Sequence, residues 1–171
     1  VKFRTLVFSV AAALSLLAVS TVPAFADPGR AEVGQVQDPS IDNLPSKTEL
    51  TPLPGSEEPG AAALPPGCWG HSDAPYKGGL TDVFGFGETY CPASYPEIYV
   101  DSDLQRSRWF GWETLDTDSE RNFWSNRADV DLSTYCFGEG TYDYRVKSYH
   151  EVHASQISFG NTVNRTNGIG C

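Results

Sequence analysis

From Thr141 the chain alternates. Tyr142, Tyr144 and Val146 fall on one side and Asp143, Arg145 and Lys147 on the other, the period of a strand with one buried face. Val130, Leu132, Thr134 and Cys136 alternate in the same way with Asp129, Asp131, Ser133 and Tyr135, and Ile98, Val100 and Leu104 with Tyr99, Asp101 and Asp103. Leu80–Tyr90, Trp112–Thr117 and Gln156–Val163 complete a series of strand candidates spaced roughly ten residues apart, the signature of an all-β domain. Thr141–Val152 is the expected central strand, with Val130–Cys136 as its hairpin mate across Gly138–Gly140. Pro92–Pro96 is expected to break the chain, and the polar stretch Asp118–Arg127 to form a loop carrying Phe123 and Trp124. No window sustains a 3.6-residue apolar period, so helices should be scarce. The pattern predicts a small antiparallel β-sandwich, immunoglobulin-like, with a small barrel as the other solution.

The pattern is absent from the first 66 residues. Lys2 and Arg4 precede an apolar run at Leu6–Leu17, and Ala24-Phe25-Ala26 is a small-x-small cleavage site, so residues 1–26 read as a signal peptide cleaved after Ala26. Val1 reads as the product of a non-ATG start codon, which points to a bacterium. The apolar run is too short for an ordinary membrane span, and no lipid-anchoring cysteine sits at the cleavage point. Residues 27–66 hold eight of the twelve prolines and no aromatic residue. Such a segment buries too little apolar surface to offset the entropy of ordering it, and predicts a disordered, proline-rich acidic linker. The folded domain is expected to span 67–171, where all the tryptophans and tyrosines lie.

Formal net charge is −10, and about −12 without Lys2 and Arg4. That field opposes nucleic-acid binding, which needs clustered Lys and Arg, and adsorption to anionic surfaces. No nucleic acid and no membrane anchoring are therefore expected; the simple reading is a self-repelling, secreted, extracellular monomer. The cysteines are Cys68, Cys91, Cys136 and Cys171, without any Cys-x-x-Cys. An even count in a short exported domain implies two disulfides rather than a metal site. Cys68–Cys91 with Cys136–Cys171 is the favoured pairing, because each bridge closes a terminal segment onto the domain. Each would contribute roughly 3–4 kcal/mol through loop entropy. Cys91–Cys136 is the rival, copying an immunoglobulin inter-sheet bridge.

Two stretches carry a family resemblance. Ile98-Tyr-Val-Asp-Ser-Asp-Leu-Gln-Arg106 leads into the corner Ser107-Arg108-Trp109-Phe110-Gly111-Trp112, and Cys136-Phe-Gly-Glu-Gly-Thr-Tyr-Asp-Tyr-Arg145 precedes a terminal cysteine, Cys171. Over roughly residues 78–171 the chain resembles a group of small secreted actinobacterial proteins that share an Ile-x-Val-x-Val-x-Leu-Gln-Arg strand and a Cys-x-Gly-x-Gly-Thr-Tyr-x-Tyr-Arg block. These motifs are structural and the group has no assigned activity, so the resemblance implies no catalytic residue. One departure is Ser102, where the pattern has a second valine.

Candidate chemistry is sparse. Asp101-x-Asp103, Asp116-x-Asp118-x-Glu120 and Asp129-x-Asp131 each place carboxylates on one strand face, where a pair could bind Ca2+; the bland reading is an acidic face that resists edge pairing. The second cluster lacks the glycine and glutamate of an EF-hand loop. His150 and His153 should face opposite sides of a strand, and His71 stands apart, so no shared metal and no cofactor is implied. No nucleophile elbow is present. The binding residues proposed from sequence are Trp109, Trp112 and Trp124, an aromatic platform for sugar rings, flanked by Arg106 and Arg108 as donors. The competing reading places those tryptophans in the core. The expected function is a non-catalytic binding module for an extracellular protein or glycan. A small hydrolase with a carboxylate or histidine site, and an inhibitor or small-ligand carrier, are the alternatives.

Overall fold

The computed structural model describes residues 43–54 and 67–171, and β-strands make up most of these residues. The strands are β1 (Lys47–Glu49), β2 (Thr51–Pro52), β3 (Trp69–Ser72), β4 (Tyr76–Gly78), β5 (Asp82–Arg108), β6 (Gly111–Tyr135), β7 (Thr141–His153) and β8 (Ile157–Gly170). All pairings are antiparallel, and all strands belong to one sheet in the order β1-β3-β5-β7-β8-β2, with β4 and β6 also on β5. The fold is all-β and disulfide-stapled as the alternation predicts, but it is a single continuous sheet. Both favoured bridges, Cys68–Cys91 and Cys136–Cys171, are formed.

The sheet encloses a core because β5 folds back on itself. Its ladder with β6 is interrupted between Tyr90 and Tyr95, where Pro92 lacks a donor for it. The expected break is thus a bend within a strand. Beyond it the two halves of β5 lie face to face: Gly85 against Leu104 and Val146, Gly87 against Ser102 and Ser148, and Thr89 Oγ1 donating to the Tyr99 carbonyl at 2.8 Å. The first half pairs with β3 and β4, the second with β7.

Residues 45–53 join the two remaining edges. β1 pairs with β3 and β2 with β8, and Val163 N–H and Leu53 N–H bond Pro45 and Ile157 carbonyls at 3.1 and 2.8 Å. Leu50, between β1 and β2, is buried in the core against Gly160. The expected linker over 27–66 is therefore corrected for 43–54, which is part of the domain. Proline and polarity concealed it, because its order comes from backbone bonds to two sheet edges and a single leucine. Residues 27–42 and 55–66, and the expected signal peptide at 1–26, lie outside the described residues.

Two further expectations are corrected. Asp118–Arg127 is strand, within β6. Its pattern hid this because β6 runs along the sheet's margin and buries neither face there. Cys136–Tyr144 is not a hairpin across Gly138–Gly140: β7 pairs with β5 and β8, not with β6. β7 is nevertheless central, with Tyr144, Val146, Ser148, His150 and Val152 all buried.

The margin of β6 is closed by its own side chains. Asp116 Oδ2 accepts from Ser133 N–H at 2.8 Å, Glu120 Oε2 from Asp129 N–H at 2.6 Å, and Asn122 Nδ2 donates to the Arg127 carbonyl at 3.0 Å. Carboxylates on one half of the strand thus satisfy the open backbone donors of the other. A bulge between Leu104 and Gln105 in the β5–β6 ladder sets the face on which Asp116 and Glu120 emerge.

The interior has two apolar clusters separated by a hydroxyl layer. Leu50, Cys68, Cys91, Tyr95, Ile98, Val100 and Val152 belong to one, and Val83, Leu104, Leu132, Cys136, Tyr144, Val146 and Ile169 to the other. Between them Ser102 donates to Ser148 at 2.7 Å, Ser148 meets Ser72 at 2.8 Å, Ser72 meets Thr162 at 2.5 Å, and His150 bridges Thr162 (Nε2, 2.8 Å) and Thr89 (Nδ1, 3.0 Å). Ser102 is thus a member of a satisfied network. A Cβ at Gly87 would take the place of the Ser102 hydroxyl, and one at Gly70 would enter the His150 ring.

Candidate binding surface at the Trp109–Phe110 end

Arg108 and Gly111 form the last pair of the β5–β6 ladder, so Trp109 and Phe110 are the two turn residues of a hairpin. Gly111 supplies the positive φ, 124°. Short hairpin turns favour Asn and Gly, and two aromatic rings add nothing to the turn. Trp109 is 95% exposed and meets Phe110 edge to face, with centroids 5.4 Å apart and planes at 87°.

Beneath the tip is a rigid charged base. Glu113 Oε2 accepts from Arg108 Nε at 2.7 Å and Arg106 Nη2 at 2.9 Å, and Arg106 Nη1 reaches Glu139 at 3.0 Å. Both guanidiniums lie over the Tyr142 ring, at 5.0 and 4.8 Å, and Arg108 also donates to its hydroxyl at 2.9 Å. The hydrogen bonds from Arg108 and then Arg106 hold the Glu113 carboxyl below its ordinary range. Burial opposes the Arg106 charge, yet the bonds and charges of Glu113 and Glu139 outweigh it and raise its pKa. Arg106 is only 6% exposed. These arginines brace the hairpin; they are not the free ligand donors expected from sequence.

The three tryptophans of the expected platform do not converge. Trp112 lies on the outer sheet face, with the Arg145 and Arg165 guanidiniums 4.2 and 5.2 Å from its ring. Arg165 is itself paired with Asp143 at 2.5 Å, and that bond, with one from Gly168 N–H, lowers the Asp143 pKa. Trp124 sits near the β5 bend, some twelve residues along β6 from Trp112, roughly 40 Å of strand. It is exposed and held at φ 53°, a region bulky side chains avoid. The core reading fails as well, since none of the four tryptophans is buried.

Sequence reasoning missed the neighbours of the tip. Leu80, Tyr135 and Phe137 are all exposed at the same end, as bonds there demonstrate. Tyr135 pairs with Asp82, Cys136 N–H donates to the Thr81 carbonyl, Gly138 N–H to that of Cys171, and Glu139 binds Arg106. Their only signal was an apolar residue beside a glycine turn, Gly79-Leu80 and Phe137-Gly138.

The other candidate groups are engaged elsewhere. Asp116 and Glu120 cap the β6 margin, and Asp103 accepts from Thr117 Oγ1 at 2.8 Å. Among the described residues no three His, Cys, Asp or Glu side chains converge as a Ca2+ site needs. His71 pairs with Asp73 at 2.7 Å and His153 with Glu151, while His150 is sealed in the core without a carboxylate. The disulfides indicate an oxidising compartment, and among the described residues no helix is long and apolar enough to cross a membrane. No protein-family model, curated protein or solved structure matches the chain.

Proposed function

We propose that this is a secreted, non-catalytic interaction module that docks a protein partner through the Trp109–Phe110 end. The single observation behind it is the pair of exposed aromatics in a turn that gains nothing from them, on a base of paired arginines and glutamates that holds the hairpin still. Preorganised aromatic anchors are what protein hot spots use. A glycan is the poorer fit at this end, because a sugar ring needs a flat platform. Trp109 and Phe110 stand perpendicular, and the Trp112 ring already carries Arg145. The N-terminal signal pattern, the disulfides and the resemblance of residues 78–171 to small secreted proteins support an extracellular setting.

The test is retention of the source organism's extracellular and envelope proteins on the immobilised mature protein, compared with the Trp109→Ser/Phe110→Ser variant. A defined protein should be held by the wild type and lost by the variant, whose circular dichroism and melting should be unchanged. Equal retention by both, or unfolding of the variant, overturns the reading.

A further inference from the structure

A second surface lies on the outer face of β1, β3 and β5. Register places Lys47 opposite His71 and His71 opposite Glu88; in the next row Trp69 stands opposite Tyr90. Lys47, Trp69, His71, Glu88 and Tyr90 line one shallow cleft of about 330 Å³, at the small end of ligand sites. Lys47 comes from the stretch that sequence reading assigned to the linker, so the cleft exists only because 45–53 docks.

Its chemistry is unusual for this protein. In a chain of net charge −10, the Lys47 ammonium has no carboxylate partner among the described residues; it lies 4.4 Å over the Trp69 ring. Glu88 is oriented by Arg127 Nε at 3.0 Å. His71 Nε2 bonds Asp73 and its Nδ1 is buried, so the imidazole forms the floor of the cleft between Lys47 and Glu88. Lys47 and Glu88 are two strands apart, about 10 Å, a span that suits one substituted sugar ring. Lys47 covers the Trp69 ring, and the exposed Tyr90 side chain beside it supplies the apolar surface for the ring's C–H face.

We infer that this cleft binds an acidic sugar, a uronic-acid residue of an extracellular polysaccharide. The ring lies on Tyr90 beside the Lys47-covered Trp69, its carboxylate meets Lys47, and its hydroxyls meet Glu88. The site is independent of the Trp109–Phe110 end, and its failure would leave the protein-docking proposal standing.

The test is amide-resolved NMR titration of the mature protein with methyl glucuronide, methyl glucoside and sodium acetate. Methyl glucuronide should give saturable shifts centred on Trp69, His71 and Tyr90, with a dissociation constant of about 1–10 mM, typical of a single small ligand. Methyl glucoside should bind about tenfold more weakly, the increment of one charge-assisted contact, and Lys47→Gln should erase that difference. Tyr90→Ala should weaken both sugars, and Trp109→Ser/Phe110→Ser should change neither. Equal binding of the neutral glycoside, the same shifts from acetate alone, or no saturable shift at about 50 mM would each overturn the assignment.

Discussion

Acid should destabilise this protein through one side chain, His150. Thr89 Oγ1 donates its proton to the Tyr99 carbonyl, so it can only accept from His150 Nδ1–H. Nε2 of the neutral ring then accepts from Thr162, which accepts from Ser72, which accepts from Ser148, which accepts from Ser102. The hydroxyls run in one direction and end on an unprotonated nitrogen. A proton on Nε2 would force that run to reverse, and it would place a charge in a fully buried layer. Burial first, and the nearby His71 second, push the His150 pKa down to about 3.

In the unfolded chain the same imidazole titrates near 6.5, so between about pH 6.5 and 3 the unfolded state binds the extra proton and stability falls as pH falls. The slope is about 1.4 kcal/mol per pH unit, which is about 3 kcal/mol lost by pH 4.5, a large fraction of an ordinary domain's stability. Urea unfolding of the wild type and His150→Gln, followed by tryptophan fluorescence from pH 7.5 to 4.5, isolates this contribution, because every other ionisable group is common to both proteins. The wild type should lose stability more steeply by that slope. As a check that needs no variant, the imidazole resonances of His150 in the native protein should not titrate down to about pH 4. Parallel stability curves, or a native His150 titrating near 6.5, would refute the reasoning.

Three other outcomes follow from the fold. Leu50→Ala should cost about 2–4 kcal/mol in urea or thermal unfolding, because it empties a buried position; no effect would mean that 43–54 does not fold with the domain. Asp116→Ala and Glu120→Ala should each cost about 1–2 kcal/mol and speed hydrogen exchange at the Ser133 and Asp129 amides respectively, and unchanged exchange would sink the capping role. Trp124→Gly should raise stability by up to about 1 kcal/mol by relieving a positive φ, whereas a lower melting temperature would mean that the exposed ring packs.

Strand alternation was legible wherever one face met the core. Thr141–Val152 and Val130–Cys136 show it, and the cysteines could be paired because each bridge had an evident segment to close. It failed where a strand is held by something other than its own apolar face. Asp118–Arg127 buries neither face, and its identity as strand comes from the β5 ladder. Lys47–Pro52 has one buried leucine and owes its order to backbone groups on two edges that are distant in sequence. The carboxylates of Asp116 and Glu120 looked like ligands for a cation, and they are ligands for the backbone N–H groups of Ser133 and Asp129, further along the same strand.

The misplacement of the tryptophans has a physical cause that also bears on function. A β-domain of about 120 described residues would ordinarily draw its large aromatics inward, because each buries a large apolar area. Here the bent strand β5 brings two sheet faces so close that their contact line carries Gly70, Gly85 and Gly87, against Val146, His150 and a row of serines and threonines. An indole cannot enter such a gap without displacing backbone. Tyr144 is the largest fully buried side chain among the described residues, and the four tryptophans are left on the outside by packing rather than by polarity. Trp112 is covered by arginines, but Trp69 and Trp109 lie at two separate surfaces, one beneath the Lys47 ammonium and one at a hairpin tip. Exclusion from the core explains why the rings are outside. It does not explain why one should occupy a two-residue turn, where a polar residue would fold as well, and that surplus is the part of the structure left for recognition to account for.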